Sequence, residues 1–224
     1  MMLAVSDPSL PHKTSRAVVF DFDGLMIDSE HEIATCVLDV LTSRGATVGL
    51  DDIAHLFGST DLDDEWDALL ARVSRGELTL AQLSREIGKV LPARIDALPL
   101  LPGVSEVLDR ADQLGWRVGL ATGQTRPRLD QHLARLGVAH RFDAIVTAGE
   151  VARGKPAADI YLEAARRLGV APGQCVALED SLPGCHAALA AGMTVIVCPS
   201  RVTAGCDFPN RAQRVTCLSE IRFD

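Results

Sequence analysis

The chain is poor in aromatic residues, at 4%, and holds no C-x-x-C pair among its 6 cysteines. Its 6 histidines stand at no metal-ligand spacing beside those cysteines, which argues against a zinc centre. Basic residues are outnumbered: 22 Lys+Arg against 30 Asp+Glu give a net charge of −8. A basic face for nucleic-acid phosphates or for an anionic bilayer is therefore not expected, and neither is counted among the partners. A small anionic substrate stays compatible with this balance, because one cation site can oppose the global field. Internal repeats and low-complexity tracts are absent. The charge-free segment 181–200 contains Pro183, Gly184, His186, Gly192 and Thr194. It divides at Gly192 into an Ala-rich helix and a β-branched strand and does not read as a bilayer span. Residues 1–16 lack the basic start and long apolar stretch of a secretory signal and read as a flexible tail. Several cysteines lie in apolar runs such as Val195-Ile196-Val197-Cys198, so buried reduced thiols, a cytoplasmic setting and, by default, a monomer are expected.

What remains is an ordinary globular composition: 224 residues, 47% hydrophobic and 23% charged, enough for one large domain or one with an insert. The run 17–22 (AVVFDF) is short, apolar and β-branched, a buried strand. In the helix expected over 28–44, Ile33, Cys36, Val37, Val40 and Leu41 form one apolar face. Ser29 and Glu32 suit a capping box at its start, and Gly45 suits its end. Residues from about 50 to 96 carry only helical periodicity, with stripes at Leu62, Trp66, Leu69, Leu70, Val73 and at Leu80, Leu83, Ile87, Val90, Leu91. Helix and strand patterns then alternate: helix 104–114, strand 116–121, helix 127–136, strand 143–147, helix 157–168, strand 175–179, helix 184–191 and strand 194–198. A last strand is expected near 214–217. Such alternation predicts an α/β fold, a Rossmann-like parallel-sheet core. A small all-helical cap interrupts it after the first strand. The expected boundaries are 17–30 and 98–224 for the core and 31–97 for the cap.

Ligands of open α/β sheets bind beyond the carboxyl ends of the strands. Asp21 and Asp23, two carboxylates followed by Gly24, stand where the first strand stops, and Glu179-Asp180 stand where the fourth stops. If those strands are neighbours, three or four carboxylates converge, an all-oxygen set that suits Mg²⁺. A cap residue is the plainer use of Asp180 or Ser181. Lys155 precedes Pro156, which could start the next helix at its first turn. Near carboxylates and a phosphate, this lysine would balance both charges. Thr122 and Gly123 offer a hydroxyl and open backbone N–H groups to phosphate oxygens. The stretch 149–155 fits G-x-x-x-x-G-K, but Pro156 stands where a nucleotide-binding loop needs Ser or Thr, so that reading is rejected.

Asp21-Phe22-Asp23-Gly24-Leu25-Met26-Ile27-Asp28-Ser29-Glu30, Ala121-Thr122-Gly123, Gly154-Lys155-Pro156-Ala157-Ala158-Asp159-Ile160-Tyr161 and Leu178-Glu179-Asp180-Ser181 follow one another in order. Together with Gly184 and Ala190-Ala191-Gly192-Met193, they resemble the four motifs of the haloacid dehalogenase superfamily, closest to its phosphatase and β-phosphoglucomutase-like branch. The resemblance implies a Mg²⁺-dependent phosphatase acting on a small phosphorylated metabolite, by analogy a sugar phosphate. It implies that Asp21 is the nucleophile and forms an aspartyl-phosphate, and that Asp23 serves as acid and then base. It further implies that Mg²⁺ is held by Asp21, the backbone carbonyl of Asp23 and Asp180, with Glu179 as a further contact, while Thr122, Gly123 and Lys155 bind the phosphoryl group. Asp23 speaks against a dehalogenase, and Lys89, the one lysine between 31 and 97, lies too late in the insert for a phosphonatase. Two alternatives stay open. A phosphomutase would carry a histidine where Ile33 stands and a cap arginine near Asp61. A receiver-type switch would hold its phospho-aspartate without turnover. Of the other residues, Ser59 and Thr60 could reach substrate from a cap loop. Glu30 and His31 read as solvated, Trp66 and Trp116 as core rather than sugar platforms, and Arg126 and Arg128, after the Thr122 loop, as able to touch substrate, with helix-surface charge the plainer use.

Overall fold

The computed structural model describes residues 16–57, 63–74 and 76–223. Six parallel strands run in the order β3-β2-β1-β4-β5-β6: β1 Ala17–Phe20, β2 Arg117–Thr122, β3 Ala144–Thr147, β4 Cys175–Glu179, β5 Thr194–Val197 and β6 Gln213–Arg214. The first strand thus lies between the second and the fourth, paired Val18 to Val118 on one side and Val18 to Val176 on the other. This adjacency brings the two acidic strand ends together.

Alternation along the strands fills two cores. On one face Val18, Phe20, Val118, Leu120 and Leu178 pack against α6 (Val104–Gln113) and α7 (Arg126–Leu136). On the other face Ala17, Val19, Ala121, Val146 and Ala177 pack against α8 (Asp159–Leu168) and α9 (Leu182–Ala190). Between β1 and α6 lie α1 (Ser29–Ser43), α2 (Leu50–Ile53), α3 (Asp63–Val73), α4 (Leu80–Ile87) and α5 (Leu91–Asp96). They build a third apolar cluster around Val37, Leu41, Ile53, Leu70 and Leu83, joined by Val202 from the loop after β5. Among the described residues no strand lies in this segment, as the helical periodicity predicts.

Several local expectations give way. The strand expected over 17–22 ends at Phe20, because the chain turns through Phe22–Ile27, where Met26 N–H donates to the Phe22 carbonyl at 2.8 Å. The Ser29–Glu32 capping box does not form. Ser29 is buried, and its hydroxyl donates instead to Asp23 Oδ1 at 2.6 Å, a charge-assisted bond stronger than a cap. Pro156 does not start α8, which begins at Asp159; the Lys155–Pro156 peptide is cis. The stripe from Leu80 to Leu91 breaks at Gly88, so that Val90 is exposed and Leu91 opens α5. None of the 6 cysteines is paired. Among the described residues no helix is long and apolar enough to cross a membrane.

Candidate active site

Parallel register sets the carboxyl ends of β1, β2 and β4 side by side, and the acids stand just past them. Asp21 N–H still donates to the Leu178 carbonyl at 3.0 Å, which pins the residue beside Glu179 and Asp180. Gly24 makes the turn with φ +78; a Cβ there would lie 2.1 Å from Asp180 Oδ2, so only glycine lets the turn close over that carboxyl. Asp21, Glu179 and Asp180 are buried, with one carboxylate oxygen from each within 4.8 Å of the others.

Lys155 is buried against this group, its Nζ 2.6 Å from Asp21 Oδ1 and 2.7 Å from Glu179 Oε1. Burial would lower its pKa, but the two carboxylates outweigh burial and hold the ammonium above its usual range. Glu179 has both oxygens in use. Oε1 accepts from Lys155 and from the buried Tyr161 hydroxyl; Oε2 accepts from Asp180 N–H, Ser181 N–H and Ser181 Oγ at 3.1–3.3 Å. Ser181, not Asp180, caps α9. The Asp180 carboxyl receives no N–H or O–H donor among the described residues. The Glu30 carboxyl lies against it and can offer a hydrogen only when protonated.

Burial pushes the Asp21 carboxyl up to about 7, against the pull of Lys155. Burial likewise pushes Glu30 up to about 8 and holds Asp180 well above the carboxylate range, with the Glu30 charge adding to it. Four acids thus share one ammonium. Such a cluster calls for a further cation, and its hard oxygen donors fit Mg²⁺. Asp180, whose two oxygens accept no donor among the described residues, and the Asp21 oxygen that Lys155 does not engage could hold it. Glu179 is spent on Lys155 and the backbone.

Asp23 is half-buried at the mouth of the site. Its Oδ1 accepts from Ser29 Oγ at 2.6 Å and Gln124 Nε2 at 3.1 Å. Thr122 is buried below, its Oγ1 accepting from Gln124 N–H at 3.2 Å. Gly123 lines the cavity over Asp21 and Asp23, together with Lys155. Structure therefore gathers Asp21, Asp23, Thr122, Gly123, Lys155, Glu179 and Asp180, the residues singled out from sequence. Ser59 and Thr60 lie outside the described residues, as does Asp61.

Three expectations are corrected. Glu30 is not solvated: it is 4% exposed, and Ser200 Oγ donates to it at 3.3 Å. His31 is half-buried, with Nδ1 hidden from solvent. Trp66 is no core residue alone, because it also lines the cavity; Trp116 is buried in the core as expected. Arg126 turns to Asp130 at 2.9 Å and Arg128 to Asp96 at 3.5 Å, both away from the cavity lining. Ser29, Gln124 and Tyr161 had no assigned role in the site. Ser29 and Tyr161 stand inside the recognised motifs, a signal available in the sequence, whereas Gln124 shows only its place after Gly123.

The chain is similar to several known proteins. The family model described as haloacid dehalogenase-like hydrolase matches residues 15–192. Hexitol phosphatase B of Escherichia coli is 36% identical over 82% of this chain and 83% of its own. Fructose-1-phosphate phosphatase YqaB of the same organism is 32% identical over 80% and 94%. The crystal structure of a CbbY variant from Rhodobacter sphaeroides in complex with xylulose-(1,5)bisphosphate superposes with a TM-score of 0.70 at 27% identity, over 92% of this chain and 95% of that one. With its motifs in order, its strand ends gathered and its family model matched over most of its length, the chain belongs to the haloacid dehalogenase-like hydrolases.

Proposed function

We propose that the chain is a Mg²⁺-dependent phosphatase that hydrolyses a small phosphorylated metabolite, a sugar phosphate, through an aspartyl-phosphate on Asp21. The observation that carries this reading is the Asp21 carboxylate, held at 2.6 Å by a buried ammonium and followed two residues later by a second acid at the cavity mouth. In this reading an Asp21 oxygen attacks phosphorus as the bond to the leaving oxygen breaks, and Asp23 gives that oxygen its proton. Asp23 then takes a proton from water, whose oxygen attacks the phospho-aspartate and returns Asp21 and inorganic phosphate. Ser29 and Gln124 fix the Asp23 carboxyl for both transfers. Lys155, Gly123 and the Thr122 loop face the phosphoryl oxygens. Asp21, Asp180 and the Asp23 carbonyl would hold Mg²⁺, with Glu179 behind them. Bound there, the ion supplies positive charge that lets an anionic nucleophile approach an anionic phosphate.

Residues 31–97 act in this reading as a cap over a core of 17–30 and 98–224. The names of the similar phosphatases support a sugar-type substrate. A cytoplasmic setting goes with the six unpaired cysteines, a monomer is the default, and the acidic net charge goes with neither nucleic-acid nor membrane partners. Phosphate release from a panel of phosphorylated sugars tests the proposal. Release is expected with Mg²⁺, is lost in EDTA, and falls by about 1,000-fold or more in Asp21→Asn with the fold intact. Wild-type-like rates in Asp21→Asn would remove the covalent route. Isomerised sugar without phosphate release would instead mark a mutase, and a phospho-Asp that persists without turnover would mark a switch.

A further inference from the structure

The cavity over Asp21 has a volume of about 420 Å³ and two unlike halves. Asp21, Asp23 and Lys155 form its ionic floor. Its wall is apolar: Ile33 from α1, Leu56 and Phe57 after α2, and Trp66 from α3. Phe57 and Trp66 meet edge to face, ring centroids 6.4 Å apart at 75°, an arrangement that fixes the indole plane. Lys155 is the one cation among the described lining residues, and Asp21 and Glu179 already engage it. Among the described cations of the helical segment, Arg44 pairs with Glu86, Arg72 with Asp52 at 3.7 Å and Arg94 with Glu32 at 3.6 Å, while Arg85 and Lys89 are exposed and take no part in the cavity lining. The sequence at 58–62, Gly-Ser-Thr-Asp-Leu, contains no cation.

We infer that this site selects a monophosphate whose remainder is uncharged and presents a flat apolar face, and that Trp66 is the residue that recognises that face. The inference rests on the phosphatase reading above and narrows its substrate class. A second phosphate, or a carboxylate, would have to shed water against Ile33, Leu56 and Trp66 with no cation to meet it. The other ionisable groups of the described lining, Asp21, Asp23 and Glu30, are acids and offer it no positive charge. A sugar ring in its closed form fits: its C–H face lies on the indole while its hydroxyls stay toward water and Gln124. Among the described residues the same wall offers no second anion site to the bisphosphate that a phosphomutase requires.

Binding and turnover separate this inference from its parent. Glucose 1-phosphate, glucose 1,6-bisphosphate and glucuronic acid 1-phosphate serve as matched probes, the same closed ring with one phosphate, with a second phosphate, and with a carboxylate. Calorimetry on the Asp21→Asn protein with Mg²⁺ measures selection without chemistry. The monophosphate with the neutral remainder is expected to bind at least about tenfold more tightly than either probe with a charged remainder. Equal or tighter binding of the bisphosphate overturns the inference, whether or not the wild type turns over any ester. Absence of phosphate release from every ester overturns the phosphatase reading alone. In the active enzyme Trp66→Ala is expected to raise KM for the ring substrate about tenfold while kcat changes little, and Trp66→Phe to recover most of it. A fall in kcat with KM unchanged, not rescued by Trp66→Phe, would make Trp66 a packing residue only.

Discussion

Glu179 collects five donors on its two oxygens, and the space for that carboxylate exists because residue 184 has no side chain. A Cβ at Gly184 would fall 1.9 Å from Glu179 Oε1. Gly184→Ala must therefore push the carboxylate off its donors and release Lys155 from one of its anchors. The expected cost is about 2–4 kcal/mol of stability together with a lower kcat, read by thermal denaturation and phosphate release. Gly149→Ala, whose Cβ would meet nothing within 4 Å, should change neither. At this scale the sequence was legible wherever a residue contradicted its local setting. Acids at the end of a buried strand and a lysine before proline invite a chemical explanation. Glu30 and Gln124 contradict nothing locally. Their roles arise from Ser200, 170 positions away, and from Asp23, 101 positions away, so neither periodicity nor spacing could reveal them.

Elements were read well where the period was strong and poorly where a tertiary contact set the boundary. The strands β2 to β5 fall within a residue or so of their expected places, because buried parallel strands advertise themselves as short β-branched runs. The start of α8 was misplaced: proline suggests a first turn, but Lys155 is drawn inward by two carboxylates and the chain becomes helical only at Asp159. How α8 holds the site is visible in its packing. It buries Ile160, Tyr161, Ala164, Ala165 and Leu168, and Gly119 in β2 leaves room for Leu168, whose Cδ1 would be 2.9 Å from any Cβ there. Leu168→Ala should cost about 2–5 kcal/mol in chemical denaturation. Because Tyr161 two turns earlier donates to Glu179, a measurable fall in activity below the melting transition is expected as well. Full activity in a folded Leu168→Ala protein would show that α8 does not transmit its position to the site.

Across the whole molecule the acidic excess and the buried acids act together. Asp21 stands at about 7 and Glu30 at about 8, both raised by burial. Carboxyls raised in the folded state bind protons that the unfolded chain has already released, so their stabilisation is full at low pH and is lost as pH rises through the folded values. In EDTA, the melting temperature should drop by about 5 °C or more between about pH 5.5 and pH 8.5. Mg²⁺ should restore more of it at the higher pH, where ionised ligands are free to bind. A melting temperature in EDTA that stays level over this range would show that the acids are balanced without metal.

The strand order has a consequence for how the protein is made. Strand β1 leaves the ribosome first, yet its neighbours begin at residues 117 and 175. A nascent chain complete through β3 carries Asp21 past the end of a strand with one naked edge, without Lys155 or the acids at the end of β4. Only when β4 slots in does the second edge close, and at that same moment the acids are forced into each other's company. Assembly of the acidic cluster therefore waits for β4, and a chain that stops short of it exposes an unpaired edge of β1 without Glu179 or Asp180.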